Sequence, residues 1–125
     1  KSSLMDSGVK ADDIDLIRVP GAYEIPQMIN FIHNSMIKVP DNSIIYIALG
    51  VVIEGETNHA QMIIDTTGQS LLDLSLFKSI FIVNEIVGAP SYKIAEARCV
   101  GKENTRGWYA GKAAIDLVSE IKRIS

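Results

Sequence analysis

The sequence predicts one α/β domain built on a short parallel sheet with helices on both faces. Two apolar runs typical of buried strands, 44–53 and 79–87, alternate with segments whose apolar residues recur at helical spacing. Strands that alternate with helices are joined by right-handed crossovers, which make the strands parallel. The length of 125 residues fits a single domain, 1–125, with one core.

The first third of the chain predicts a helix end, a strand and a helix. Residues 3–8 resemble the C-terminal end of a helix that terminates at Gly8. Residues 14–19 alternate apolar and polar side chains, which predicts a strand with one partly wet face. Pro20-Gly21 ends this strand, and helical spacing follows over 23–38, with Pro26 tolerated in the first turn.

The rest of the chain continues the alternation of strands and helices. Three strands make a thin sheet, so we expect an N-terminally truncated sequence in which a first strand precedes Lys1. The remaining elements are predicted as a turn at 40–42, a strand at 44–53 that is buried on both faces, a helix at 57–76, a strand at 79–87 that Asn84-Glu85 interrupts, a short helix at 90–97, a loop at 101–105 and a last helix that ends near 123.

Composition excludes several functional classes. The chain is 47% apolar and 22% charged, and its net charge is −3 with Lys and Arg dispersed, so we expect no nucleic-acid partner and no membrane surface. Cys99 is the only cysteine, which excludes an internal disulfide and fits a reducing compartment such as the cytoplasm. A plastid is compatible with the sequence if a targeting segment precedes Lys1.

The most informative stretch runs from Ala48 to His59 and reads A-L-G-V-V-I-E-G-E-T-N-H. It joins the end of a buried strand to a turn of small and polar residues and to the start of a helix. Amides at a helix N-terminus lack intrahelical partners and attract anions, so Gly55, Glu56 and Thr57 are candidates for a phosphate site. Ligands of open α/β sheets bind at such strand ends.

Two residues of this stretch have a structural alternative. Thr57 is equally well explained as the cap of the helix that follows. Histidine is the side chain best suited to moving protons at physiological pH, so His59 is a candidate for proton transfer, but a histidine at a helix end also serves as a surface hydrogen-bonding group. His33 lies within a predicted helix without polar residues around it, so we interpret it as structural or exposed.

A second unit, V-P-G-A-Y-E-I-P, spans 19–26. Its small residues Gly21 and Ala22 leave room for the backbone to approach a polyol. Tyr23 suits stacking on a planar ring, and Glu24 accepts hydrogen bonds from hydroxyls. The alternative places Tyr23 in the core and lets Glu24 stabilise the first helical turn.

The third unit consists of two arginines, Arg98 and Arg106. A guanidinium binds phosphate with two parallel hydrogen bonds, although most arginines near helix ends are simply solvated. The nearby segment 107–113 lacks the spacing of a phosphate-binding loop and lies inside a predicted helix. Two histidines and one cysteine give no metal-binding signature, so we expect no metal site.

Taken together, in this order and spacing, the three units resemble lumazine synthase, the 6,7-dimethyl-8-ribityllumazine synthase of riboflavin biosynthesis. The matches are 19–26, 48–59 and a looser tail of E-A-R at 96–98 and N-T-R-G at 104–107. The resemblance implies a flavodoxin-like three-layer sandwich. It also implies a transferase that condenses 5-amino-6-(ribitylamino)uracil with 3,4-dihydroxy-2-butanone 4-phosphate and releases phosphate and water, without metal or organic cofactor.

The resemblance also assigns roles to single residues. It makes His59 the group that transfers protons. Arg98 and Arg106 would serve the site of a neighbouring subunit, and Asn84 occupies the position of a phenylalanine that the neighbour usually supplies. The implied binding residues are Gly55, Glu56, Thr57 and Arg98 for the phosphate, and Ala22, Tyr23, Glu24, Val51, Val52, Asn84 and Arg106 for the ring and its ribityl chain.

The chain departs from the family pattern at several of these positions. Arg106 replaces a lysine, Glu54 stands where a basic residue is common, and Ala60-Gln61 replaces an aromatic-acidic pair. Asn84 supplies no aromatic ring, and compared with a phenylalanine at this position it would weaken uracil binding by about 1–2 kcal/mol. A non-catalytic relative that binds flavin or lumazine, or a chiefly structural shell subunit, therefore remains an alternative to the enzyme.

The resemblance further implies a homo-oligomer. Its members form pentamers, and some pentamers assemble into shells of sixty subunits. The short segment between Arg98 and Gly107 carries no insertion of the kind seen in members that stop at pentamers, which favours a shell.

Overall fold

A computed structural model describes residues 1–36, 44–55, 59–99 and 105–125. The turn predicted at 40–42 and residues 101–104 of the loop predicted at 101–105 lie outside these residues. Within them, two parallel strands alternate with five helices, and short 3-10 turns at Ala11–Asp13 and Ala22–Glu24 complete the regular structure. In chain order, the elements are α1 (Ser2–Asp6), α2 (Ile25–Ser35), β1 (Ile45–Ile53), α3 (His59–Lys78), β2 (Phe81–Ala89), α4 (Tyr92–Cys99) and α5 (Arg106–Ile124).

The two strands pair in parallel along their whole length. The register runs from Ile45 opposite Phe81 to Ile53 opposite Ala89, and the amide of Glu54 donates to the carbonyl of Ala89 at 2.8 Å. Because α3 connects the strands, both carboxyl ends lie at one edge of the sheet. The parallel α/β prediction is confirmed.

Each face of the sheet is covered by its own helices, because successive side chains of a strand point to opposite faces. On one face, Ala48 and Ile86 pack with Ile25 and Ile29 of α2 and Leu71 of α3. On the other, Val83 packs with buried alanines of α5 and with Leu4 of α1. These two clusters form the three-layer arrangement.

Residues 14–19 do not form a strand, so this prediction is wrong. The segment has no ladder of backbone hydrogen bonds, and Leu16 and Ile17 are more than half exposed. An alternating pattern becomes a strand only when a neighbouring strand supplies hydrogen-bond partners. Here a groove of about 720 Å³ lies between the segment and the edge of β1 that faces away from β2.

Several predicted boundaries move by a few residues. The helix predicted from Tyr23 begins at Ile25, because Ala22–Glu24 form a 3-10 turn, and Pro26 lies in its first turn as predicted. The strand β2 runs without interruption through Asn84 and Glu85.

Burial of β1 is less complete than predicted, since Leu49 and Val51 are exposed. No helix in the part of the chain that the structure describes is long and apolar enough to cross a membrane.

Two glycines have specific roles around α1. Gly8 follows the helix with a φ of +99°, which is the left-handed conformation that the predicted glycine closure requires. Gly111 lets α5 approach α1 closely, because a Cβ at this position would overlap the hydroxyl oxygen of Ser3. Both Ser3 and Gly111 are buried.

Candidate functional site

The carboxyl edge of the sheet brings together the central residues of the predicted site. Strand β1 ends at Ile53 and leads into Glu54 and Gly55, and α3 begins at His59, whose side chain is exposed. Glu56 and Thr57, which were predicted to bind phosphate with Gly55, lie outside the described residues. The described geometry therefore places a histidine at the start of a helix, four residues after the strand-end glycine.

Arg98 reaches the same edge from the last turn of α4. Its Nη1 donates to the carbonyl oxygen of Gly88 at 3.3 Å, and Gly88 pairs with Val52 in the register of the sheet. A Cβ on Gly88 would lie 3.2 Å from Oε1 of Glu54. A guanidinium and a carboxylate thus both adjoin Gly88 at the strand end.

The second predicted unit packs against the middle of β1. Ala22 lies so close to Gly50 that a Cβ added there would be 3.5 Å from the Cβ of Ala22. This contact brings the 3-10 turn Ala22–Glu24 beside Val51 and Val52. Tyr23 is 60% exposed, so the alternative that places it in the core is wrong. Its ring is available to a ligand.

Val51 and Val52 point to opposite faces of the sheet. Val52 packs against the cluster beneath α2 and α3, whereas the side chain of Val51 is exposed and borders the groove beside β1. Of the two valines, only Val51 presents an exposed side chain. A pocket that used both residues would depend on their backbone groups, as the resemblance implies.

Arg106 is the first residue of α5 and forms an ion pair that the sequence did not reveal. Its Nε and Nη2 both contact Oε1 of Glu85, on the α5 side of β2. The helix start is fixed by Thr105, whose Oγ1 accepts from the amide of Trp108 at 3.3 Å. The only signal in the sequence was the polar pair Asn84-Glu85 inside an apolar strand, and this signal did not identify Arg106 as the partner of Glu85.

Asn84 stands apart from the strand-end residues. It faces α3, so its side chain points away from that of Glu85, and it borders a cavity of about 370 Å³ beside Gly68. Its Oδ1 accepts from the amide of Ile86 at 3.0 Å. Four residues separate it from Gly88, or about 13 Å along the strand. Within one subunit, Asn84 therefore does not lie beside the residues at the strand end.

Two other interpretations are confirmed. His33 is structural, since its Nδ1 lies 3.2 Å from the hydroxyl of Tyr46. The glycine- and lysine-containing segment 107–113 lies within α5 and is not a phosphate-binding loop. Across residues 1–36, 44–55, 59–99 and 105–125, no group of three acidic, histidine or cysteine side chains is arranged to hold a metal ion.

Comparison with known proteins identifies the family of the chain. The family model for 6,7-dimethyl-8-ribityllumazine synthase matches residues 1–122. The 6,7-dimethyl-8-ribityllumazine synthase of Bartonella bacilliformis is 37% identical over 122 residues, which is 98% of this chain and 76% of that protein. The corresponding proteins of Xylella fastidiosa and Xanthomonas oryzae are 30% and 34% identical, over 98% and 95% of this chain and 76% and 74% of their own length.

Proposed function

The chain belongs to the 6,7-dimethyl-8-ribityllumazine synthase family of riboflavin-biosynthesis enzymes, and we propose that it condenses ribitylaminouracil with dihydroxybutanone phosphate at the carboxyl edge of its sheet. The observation that carries this proposal is the placement of His59 and Gly55 just after the end of β1, with Arg98 at the same edge of the sheet. A base and a cation beside a strand end are what a phosphate-releasing condensation needs.

The reaction divides into steps that these residues serve. The amine of the uracil adds to the ketone and water leaves, which forms a Schiff base. Loss of a proton from the adjacent carbon then expels phosphate from the terminal carbon, and the enol that forms tautomerises to a ketone. The ribityl-bearing nitrogen attacks this ketone and a second water leaves, which closes the ring. His59 moves protons in these steps, and Gly55, Glu56 and Thr57 bind the phosphate together with an Arg98 that, as the resemblance implies, comes from a neighbouring copy.

The ring and its polyol chain lie against the second unit. Tyr23 offers an exposed ring beside β1, and Ala22 and Glu24 meet the ribityl chain. Backbone groups of Val51 and Val52 line the ring pocket. These roles rest on the resemblance, and the contact between Ala22 and Gly50 supports them because it brings the turn to β1.

A turnover assay tests the function directly. The protein is incubated with both substrates, and the fluorescence of the lumazine product is followed over many turnovers. Product that accumulates well beyond one equivalent establishes the enzyme. The absence of product, with tight binding of lumazine, selects the alternative of a non-catalytic flavin- or lumazine-binding relative.

That alternative is favoured by one observation, the environment of Asn84. The residue is exposed and its Oδ1 is engaged by the backbone amide of Ile86, so no aromatic ring is offered from this position. Without this ring the uracil is held less firmly in the orientation that the reaction needs, which favours a relative that binds ligand without turnover.

We also propose that the chain works as a homo-oligomer, a pentamer or a shell of sixty subunits. Support comes from an apolar strip that we define as Leu72, Leu76, Phe77 and Phe81, which are exposed large apolar residues of the second half of α3 and the start of β2. Contiguous apolar side chains of this size on a surface indicate an interface. In such an assembly, Asn84, Arg98 and Arg106 would serve the site of a neighbouring copy.

The groove beside β1 supports the expectation of an additional strand. Residues 14–19 have no assigned strand, and β1 pairs on one side only within the described residues. Hydrogen exchange of the β1 amides that point away from β2 tests this idea in the full chain. Protection equal to that of the amides facing β2 supports a covering strand, and fast exchange of those amides contradicts it.

A further inference from the structure

The ion pair between Glu85 and Arg106 joins two elements that are distant in sequence and differ strongly in exposure. Glu85 is 12% exposed and Arg106 is 49% exposed at their side chains. A carboxylate this deeply placed needs a partner, because an unpaired buried charge is costly. Arg106 also carries its charge at the N-terminus of α5, where the helix dipole disfavours a cation. The ion pair therefore offsets both the cost of burying the Glu85 carboxylate and the unfavourable interaction of Arg106 with the helix dipole.

The contacts also fix the orientation of the guanidinium. Nε and Nη2 both reach Oε1 of Glu85, so one edge of the planar group is engaged. Its Nη1 has no partner in the part of the chain that the structure describes. Since a guanidinium is rigid and planar, holding one edge determines the direction of the remaining donors.

The surface beside the pair is apolar. Glu85 lies opposite Leu49 in the register, and both point to the α5 side of the sheet. Leu49 and Val51, on that same face, are exposed although they belong to a strand. An oriented donor edge beside exposed aliphatic side chains suits a planar ring with acceptor atoms at its rim.

We propose that Glu85 is a positioning residue that orients Arg106 toward the ring-bearing substrate. This rests on the proposed function. Arg98 serves the phosphate at the strand end, whereas Glu85 lies three residues, or about 10 Å, before Gly88 along β2. Arg106 therefore contacts the ring, and Glu85 sets the geometry of that contact without touching substrate.

Steady-state kinetics with each substrate varied in turn tests the proposal. Glu85→Ala is expected to raise KM for the ribitylaminouracil roughly tenfold, while KM for the phosphate substrate and kcat change less than threefold. Glu85→Gln keeps an acceptor oxygen for Nε and Nη2, so it should restore KM to within about threefold of the unmodified protein. This split between the two substrates is not expected from a merely structural residue.

A double-mutant cycle isolates the coupling. In an Arg106→Ala background, Glu85→Ala should cause no further rise in KM, because there is no guanidinium left to orient. Glu120→Ala is the matched control, since Glu120 forms an exposed pair with Arg123 on the same helix. That variant should leave both KM values unchanged.

Two results would overturn the proposal. One is an equal rise in KM on Glu85→Ala with and without Arg106. The other is unchanged KM for the ring-bearing substrate in a variant whose thermal unfolding and oligomeric state match those of the unmodified protein. If the unmodified protein shows no turnover, the proposed function fails separately. The same cycle is then measured as Kd for the lumazine product by fluorescence titration.

Discussion

His59 and Arg98 reach the carboxyl edge of the sheet from two different helices. His59 is the first residue of α3, and Arg98 lies in the last turn of α4. The location of each side chain is thus set by where a helix begins or ends. A substitution at either position should consequently affect chemistry or binding more than folding.

Changing His59 to Ala should lower kcat by two to four orders of magnitude, as expected for the loss of a general acid–base. KM should change little, because His59 is exposed and its role is proton transfer rather than binding. The rate of lumazine formation measures the effect. His33→Gln is the control, since it removes the other histidine of the chain, whose partner is Tyr46. Turnover of the His59 variant within threefold of the unmodified protein would contradict the assigned role.

Changing Arg98 to Ala should raise KM for the phosphate substrate about 10- to 100-fold, the range expected for a lost charge-assisted hydrogen bond. Arg98→Lys keeps the charge but not the fork of donors, so its effect should be smaller. KM for the uracil substrate is the internal control. A larger effect on the uracil substrate than on the phosphate substrate would refute the assignment.

At the level of elements, the contact between α1 and α5 depends on the absence of a side chain. Gly111 is buried within α5, where glycine is otherwise unfavourable by about 1 kcal/mol relative to alanine. Its presence is explained by Ser3, whose hydroxyl occupies the space that a Cβ would take. The contact anchors the first helix to the last.

Gly111→Ala should therefore destabilise the protein by about 1 kcal/mol, because overpacking outweighs the gain in helix propensity. Ser3→Ala removes the overlapping oxygen, so the double variant should recover most of the loss. Urea unfolding of the four proteins measures both effects. If the Gly111→Ala variant is at least as stable as the unmodified protein, Ser3 moves aside at no cost in free energy, and the prediction is wrong.

At the level of the whole molecule, the outer side of α3 carries the strongest indication of assembly. Leu76 is 72% exposed and Phe77 is 83% exposed, and both lie in the last turn of α3, shortly before Phe81 begins β2. Side chains of this kind are normally covered in a stable protein. Covering them also limits aggregation at the strand edge.

The double variant Leu76→Lys and Phe77→Lys should shift the protein from an oligomer toward the 13.7 kDa chain in sedimentation velocity. Secondary structure should be retained, because both side chains lie outside the core of the single chain. Ser119→Lys, at an exposed position of α5, is the control. An unchanged sedimentation coefficient in the double variant would exclude this strip from the interface.

Local patterns in the sequence determined the alternation of strands and helices and the positions of the main candidate site residues. The strand β1 followed from an apolar run, α5 from apolar residues at helical spacing, and the position of His59 from the turn that separates a strand from a helix. These features depend on residues close together in sequence, so they can be predicted without a structure. The family resemblance rested on the same local units.

Tertiary structure decided the features that depend on distant partners. Residues 14–19 have the pattern of a strand but pair with no strand among the residues that the structure describes, and a strand needs a second chain segment to accept its hydrogen bonds. Glu85 and Arg106 are 21 residues apart, and only the register of β2 against the start of α5 brings them together. Similarly, the reason for Gly111 lies in Ser3, at the other end of the chain. Sequence patterns determine local conformation, whereas the packing of elements determines which side chains meet.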